Sequence, residues 1–522
     1  MSTPPPGRVS DLPDFVDRHR TSHGPHAPGV AAAVVSLDGD LAATTGCADI
    51  AAGLPVTEDT VFRIASISKP ILAIALLRLE KRGILSRSDE LRKHLPNMPD
   101  YGTPILLDHL LHHRSGLHEK LELLSLGGAD HADHMDLSTV MALFARQRSL
   151  NFDVDRGYLY CNTGFTLLSD IMERVTERPF EEILRREVFD PLGMPQSQVA
   201  RSDDMIVRGM ARGYVGPPDG RTHGHYGFPV RGEGGVVSTL AELITFVRAL
   251  LRDGVPDVRV SDLAAGNSGD GLWYGAGFVC RRLNGVLMMG HSGHLPGFKS
   301  EIAVLPDEGI GTVWLTNDDR ADSFGANLAL VRKALGLEGP HRDPIPPPLR
   351  GRWIDKSDGA ILDIAEDGCS AALFGDPFPL FSRGPGRWVA EADVIDLALE
   401  SVAGDLRLRQ GGRELGPLSR AAGEEATKGQ DAICGCFHCP ETETTLSIQH
   451  ADAGFFVDTA GPHRHRRVEP ATHLGEGRLL WIPHRRPWPV WYTIRPAGST
   501  GDVSEILISS ARMRNLRAFR VD

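Results

Sequence analysis

Ser66-Ile67-Ser68-Lys69 sets a hydroxyl and an amine three residues apart. A serine at its ordinary pKa is a poor nucleophile and needs a base to take its proton. Residues i and i+3 share one face of a helix, so Lys69 can reach Ser66 if the stretch is helical. Two more signatures lie far downstream, Tyr160-Cys161-Asn162 and His291-Ser292-Gly293. A tyrosine beside a lysine ammonium loses its proton more readily and can serve as a base. The Asn162 amide can order such a network and bind a substrate amide. An imidazole at 291 can face the nucleophile, and Gly293 lets a substrate approach the backbone. Taken singly, each signature has a plain structural reading. Ser-x-x-Lys recurs by chance in long proteins, Tyr160 suits a helix start, and His291 is one of 21 histidines.

The elements that must position these groups are legible in part. After Lys69, the apolar residues Ile71, Ile74 and Leu77 recur at helical spacing, so Ser66 is expected in the first turn of a helix. There, backbone N–H groups would favour an anionic transition state. Val30–Val35, the Asp38-Gly39-Asp40 turn and Leu41–Thr45 read as a hairpin. From roughly 85 to 255 helices and loops dominate, with helices at Val140–Arg148, Thr166–Thr176 and Leu240–Arg252. Strands return at Val286–His291, Glu301–Leu305 and Ile310–Leu315, followed by a helix over Leu328–Leu335. Strands at both ends of a helical block imply an α+β unit whose sheet joins distant segments.

Gly-Pro-His-Arg-Asp-Pro-Ile-Pro-Pro-Pro-Leu at 339–349 reads as a stiff linker that ends a domain at 338. Beyond it helical periodicity vanishes. Short alternating runs broken by Gly, Pro and Asp predict all-β structure. Gly351-Arg-Trp353 is echoed by Gly435-Cys-Phe437, so two small β domains are expected, 350–425 and 426–522.

The 522 residues exceed what one core can serve, and 41% apolar with 24% charged residues is globular composition. A formal charge of −12 argues against nucleic-acid and anionic-membrane partners. No apolar run reaches membrane-spanning length. An odd count of seven cysteines and no basic-then-apolar leader point to a reducing, cytoplasmic setting. Cys434-Gly-Cys436-Phe-His438-Cys439 lacks the split pairing that zinc prefers and reads as inert thiols. His109, His112 and His113 read as structural, and His131 and His134 as a solvated face.

The order of the three signatures, Ser-x-x-Lys opening a helix, Tyr-x-Asn in the helical block and His-x-Gly on a late strand, resembles the serine penicillin-recognising family. Its members include class C β-lactamases, DD-peptidases, related esterases and D-aminopeptidase. Leu110-Leu-His-His-Arg-Ser-Gly-Leu117, Pro191-Leu-Gly-Met194, Gly232-Glu-Gly-Gly-Val-Val-Ser-Thr239 and Tyr274-Gly-Ala-Gly277 fit the same resemblance, which covers about residues 25–335. It implies an α/β sandwich with an antiparallel sheet, Ser66 as acylated nucleophile, and Lys69 with Tyr160 as general base. Which of the two takes the serine proton stays open. It further implies that Asn162 supports Lys69 and contacts substrate. His291 stands where a Lys-Thr-Gly triplet usually has its lysine. The oxyanion hole is implied to be the N–H groups of Ser66 and His294.

Total length and the C-terminal half narrow the resemblance to the D-aminopeptidase branch, which carries two small antiparallel β-barrels after the catalytic domain. The implied activity is hydrolysis, through an acyl-enzyme, of small peptides or amides with an N-terminal D-residue. No metal or organic cofactor is implied, and a homodimer is allowed. In that branch a loop of the last barrel reaches the active site with an acidic residue for the free amine. The corresponding stretch here, Pro483-His-Arg-Arg-Pro-Trp-Pro489, is basic instead, and Arg485 and Arg486 would favour a carboxylate. The alternatives are an esterase, a β-lactamase or DD-carboxypeptidase-like hydrolase, and a non-catalytic sensor of the penicillin-binding type.

Overall fold

Val30–Ser36 is apolar on both faces and can lie only inside a sheet covered on both sides. The computed structural model puts it there. The structure describes residues 9–24, 26–266, 272–339, 342–402, 404–421, 430–463, 467–483, 490–498 and 503–522. Strands are numbered β1 (Val30–Ser36), β2 (Asp40–Thr45), β3 (Trp273–Tyr274), β4 (Val279–Leu283), β5 (Val286–Leu295), β6 (Phe298–Leu305) and β7 (Ile310–Thr316). They form one sheet in the order β3-β4-β5-β6-β7-β1-β2. Antiparallel pairing of β1 with β7 sets Val30 against Thr316, which joins the two ends of the helical block. The helices that matter are α1 (Leu12–His19), α2 (Ser68–Lys81), α3 (Asn162–Thr176), α4 (Leu240–Leu251) and α5 (Ser323–Leu335).

Side chains alternate along β1 and β7, so each strand serves two layers. Val30, Ala32, Val34, Ile310 and Trp314 pack with Leu12, Phe15 and Val16 of α1 and Ala326 and Leu330 of α5. On the opposite face Gly311 leaves room for Val247 of α4, since a Cβ there would come within 2.3 Å of Val247 Cγ1. Asp322 caps α5 by accepting from Gly325 N at 2.9 Å, and Thr239 caps α4 by accepting from Glu242 N at 3.2 Å.

By contact the chain divides into two units: residues 1–94, 106–112 and 164–339, and residues 95–105, 113–163 and 340–522. The first holds the sheet just described. The second holds two β assemblies and the 113–163 segment. Residues Gly351–Arg420 form an open nine-stranded antiparallel sheet that curls around Trp353, Leu362, Leu380, Trp388, Leu399 and Leu408. Residues Gly435–Arg520 form a closed barrel of eight strands, sealed where Phe437 pairs with Arg520 and His438 with Phe519. Alternating strands lead to the expectation of two barrels, but the first of the two does not close. Its edge strands Arg413–Glu414 and Leu418–Arg420 are not hydrogen-bonded neighbours. Among the described residues no helix is long and apolar enough to cross a membrane.

Candidate active site

Ser66 lies not in the first α-helical turn but in a 3₁₀ turn, Ala65–Ile67, that runs directly into α2. The turn is tight because Ala65 adopts φ 47°, a left-handed conformation that costs a non-glycine residue energy. Two contacts hold it. The Ser68 hydroxyl donates to Ala65 O at 2.6 Å, and Val236 N donates to Ser68 Oγ at 2.9 Å. The second serine of the signature is therefore a structural clamp, fully buried, whereas Ser66 remains partly accessible.

Lys69 is fully buried. Its Nζ donates to Ser66 Oγ at 2.9 Å and to the Glu233 carbonyl at 2.7 Å, and lies 5.5 Å from the centroid of the Phe165 ring. The acceptor belongs to Gly232-Glu233-Gly234-Gly235, and the glycine at 232 is what admits that loop. A Cβ there would sit 2.0 Å from Leu72 Cδ1 on α2.

His291 and Gly293 lie on β5, which passes alongside the turn. A Cβ on residue 293 would fall 2.2 Å from Ile64 O and 3.1 Å from Ala65 Cβ. Glycine at this position therefore lets the strand lie against the backbone that leads into Ser66. The Ser300 hydroxyl ties the same Ile64 carbonyl to β6 at 2.8 Å. His291 has both ring nitrogens engaged. Nδ1 faces the Ser292 carbonyl at 2.6 Å, which can only accept, so Nδ1 carries the proton. In the neutral ring Nε2 is then the acceptor, and it takes the Tyr274 hydroxyl at 2.9 Å. Burial, and after it the nearby Lys69 charge, push the His291 pKa down to about 3. This imidazole is a neutral acceptor rather than a stand-in cation. Its folded pKa lies below its ordinary value, so stability associated with it is lost as pH falls from the ordinary value toward 3. In a histidine-labelled sample, the His291 ring signals, assigned by their loss in His291→Asn, are expected to stay fixed from about pH 5 to about pH 8. A titration inside that range would contradict the neutral, doubly engaged ring.

His294 reaches outward, and its Nε2 meets Asp319 Oδ1 at 2.7 Å. Burial raises the Asp319 pKa, but the His294 hydrogen bond and charge outweigh it and hold the carboxyl below the ordinary range.

Tyr160 and Asn162 belong to the other unit, where the 113–163 segment fixes them. The buried Tyr160 ring packs on His113, with centroids 4.6 Å apart. His113 anchors the arm twice: Nδ1 accepts from Cys161 N at 3.1 Å, and its carbonyl accepts from Leu159 N at 3.1 Å. Asn162 opens α3 and is clasped by Glu119, which accepts from Asn162 N at 2.5 Å and from Asn162 Nδ2 at 3.0 Å. Arg485 and Arg486 lie outside the described residues, as does the His484–Pro489 stretch that carries them.

The described residues thus gather Ser66, Lys69, His291 and Gly293 on one frame and Tyr160 and Asn162 on another. Glu119, Tyr274 and the Glu233 carbonyl are functional partners that the sequence did not single out. The last two lie inside glycine-bearing runs that fitted the family pattern, and that was their only signal. Glu119 had none. Among the described residues no cluster of three or more His, Cys, Asp or Glu side chains could hold a metal ion.

A family model described as beta-lactamase matches residues 16–336. A D-aminopeptidase from Cereibacter sphaeroides is 27% identical over 516 residues, covering 95% of this chain and 96% of that protein. A D-amino acid amidase from Ochrobactrum anthropi SV3, solved with D-phenylalanine, superposes with a TM-score of 0.53 at 24% identity, over 63% of this chain and 97% of that one. An octameric penicillin-binding protein homologue from Pyrococcus abyssi gives a TM-score of 0.55 at 20% identity, over 89% of this chain and 99% of that one. At these identities the structural likenesses establish the fold.

Proposed function

Since the chain belongs to the beta-lactamase family, matched by its model over residues 16–336, we propose that it is a serine hydrolase acting on peptides or amides with an N-terminal D-amino acid. The observation that carries the reading is the 2.9 Å bond between Lys69 Nζ and Ser66 Oγ, with the lysine fully buried and the serine accessible. Ser66 Oγ attacks the amide carbonyl carbon, and its proton passes to the Lys69–Tyr160 pair. The tetrahedral oxyanion is held by the N–H groups of Ser66 and His294. The proton returns to the leaving nitrogen, the C–N bond breaks, and an ester on Ser66 remains. Water then attacks that ester by the same route and restores the hydroxyl. Within the unit that holds Ser66, the Phe165 ring is in range of the Lys69 ammonium. His291 and Gly293 support the turn that carries Ser66.

D-stereospecificity is supported by the full-length similarity to a D-aminopeptidase and by likeness in fold to the D-amino acid amidase. Self-association is the assembly we propose, in line with the octameric Pyrococcus abyssi protein. The test compares release of D-alanine from peptides whose amino end is free or acylated. Preference for the free amine is expected. Preference for the blocked substrate would move the assignment to an esterase or β-lactamase-like activity on the same machinery.

A further inference from the structure

Glu119 holds Asn162, and what holds Glu119 is the far end of the chain. The hairpin between Glu505–Ser510 and Met513–Arg520, the last two strands of the closed barrel, presents Arg512 to the helix Lys120–Leu126. Its backbone docks first. Arg512 N donates to both Glu122 carboxylate oxygens, at 3.0 and 2.9 Å, and Arg512 O accepts from Glu119 N at 3.3 Å. Asn151 Nδ2 donates to the same carbonyl at 3.2 Å. The Ser510 hydroxyl also donates to Glu122, and the Tyr492 hydroxyl donates to Glu122 O at 2.9 Å.

The side chain then adds charge. Arg512 Nε lies 3.2 Å from Glu122 Oε1, and Nη1 lies 4.0 Å from Glu119 Oε2. Glu119 is 0% exposed and Glu122 3% exposed. Two carboxylates so far from water repel one another and need a shared cation. The same Glu119 oxygen that faces the guanidinium accepts from Asn162 N. A chain of contacts therefore runs from the barrel hairpin through Arg512 and Glu119 to the start of α3, two residues beyond Tyr160.

We propose that Arg512 is a positioning residue for acyl transfer, bridging Glu119 and Glu122 so that Glu119 fixes the Tyr160–Asn162 arm. The closed barrel is then part of the catalytic apparatus and not an appendage. This rests on the reading of Ser66, Lys69 and Tyr160 given above. The charged and titratable groups around the guanidinium are Glu119 ahead of the helix, Glu122 on it, Asp376 at the start of a strand of the open sheet, and the Tyr160 phenol. Burial alone would push the Arg512 pKa down. These four groups, Glu119 first, outweigh burial and hold it above its ordinary value. The interaction is mutual, so the guanidinium favours an ionised Tyr160 phenol. Asp376, pushed up to about 6 by burial and by Glu122 and Asp393 against the pull of Arg512, already holds its proton more tightly than an ordinary aspartate.

The test uses the full chain and a serine-reactive fluorophosphonate, with the labelled residue identified by mass spectrometry and the rate followed against pH. The wild-type protein is expected to label at Ser66. Arg512→Ala keeps the backbone contacts of the hairpin. It should label about tenfold more slowly or worse at neutral pH, because a loosened arm misplaces its groups. Its pH midpoint should move upward, since removing a cation beside the Tyr160 phenol makes that phenol harder to ionise. Added ethylguanidinium should restore part of the rate. Arg517→Ala, on the strand Met513–Arg520 that follows Arg512 but paired with Glu505, should match wild type. A wild-type chain that does not label at Ser66 removes the proposed function itself. A wild-type chain that labels at Ser66 while Arg512→Ala keeps the same rate and the same pH midpoint removes only the role of Arg512. Should Arg512→Ala lose its cooperative melting, Arg512→Lys decides: it keeps the charge but not the fork, so a lowered rate at an unmoved midpoint supports the proposal, and a wild-type rate overturns it.

Discussion

Ser66→Ala is expected to abolish covalent labelling by a fluorophosphonate and to lower turnover of a D-aminoacyl amide by about 10⁴-fold or more, a loss of roughly 5 kcal/mol of transition-state stabilisation. Beyond its backbone N–H, which alanine retains, residue 66 enters the mechanism only through Oγ, and alanine removes that atom while keeping the Cβ. Little else changes. Ser66 is only partly buried, its hydroxyl accepts from Lys69 at 2.9 Å, and the turn it sits on is clamped by Ser68 rather than by Ser66 itself. The melting temperature should therefore stay near that of wild type. Ser68→Ala supplies the contrast. That hydroxyl is buried, donates to Ala65 O and accepts from Val236 N. Its loss should leave a buried N–H and a buried carbonyl less well satisfied, at about 1–3 kcal/mol of stability, yet labelling should persist. Intact-mass measurement of the adduct separates the two serines. An adduct of undiminished yield on the Ser66→Ala protein would take the nucleophile elsewhere.

The sequence disclosed the reactive groups of this candidate site better than their supports, for a physical reason. Ser66 with Lys69, and the strands β5, β6 and β7, announce themselves through local spacing: three residues on a helical face, or alternation along a strand. Glu119, Tyr274 and Arg512 act through partners far away along the chain, and Arg512 meets Glu122 across 390 positions. A single polar residue at such range leaves no periodic trace. The turn at Ser66 shows the same limit. Apolar spacing gave a helix from Ile71 onward, but Ala65, at the entry to the 3₁₀ turn, takes a left-handed φ and lies against Gly293 of a distant strand, and the local text encodes neither. Closure of the second β assembly and the opening of the first depend on whether first and last strands meet in register. Alternation along each strand is the same in both.

The His291 ring illustrates how an expected role changes once neighbours are known. Its place on a late strand before a glycine was legible. Its charge was not, because that depends on Tyr274 and the Ser292 carbonyl engaging its two nitrogens and on the Lys69 ammonium nearby. A second cation beside Lys69 would make each harder to ionise, and the neutral tautomer avoids that repulsion.

This coupling makes Lys69 the position with the second-largest expected effect. Lys69→Met keeps most of the side-chain volume and removes the amine, so labelling of Ser66 should slow by about 10³-fold or more, with the Lys69–Tyr160 pair that takes the serine proton broken. Lys69→Arg should not rescue it, because a guanidinium holds its protons too tightly to share one within that pair and differs in shape from an ammonium. Stability should move the other way. Lys69 is 0% exposed, and a buried ammonium bonded to a carbonyl and a hydroxyl is costly to keep from water. Methionine over the Phe165 ring replaces that charge with a polarisable apolar contact, so the melting temperature should hold or rise. The same variant should also shift His291. Burial is the larger cause of its depressed pKa and the Lys69 charge the next, so the value should rise from about 3 yet remain below that of an exposed histidine. A variant that labels slowly, melts no lower and carries a His291 with a raised pKa establishes Lys69 as an active amine held at the cost of stability. A variant that labels at the wild-type rate would leave Tyr160 as the base and reduce Lys69 to a charge that orders the site.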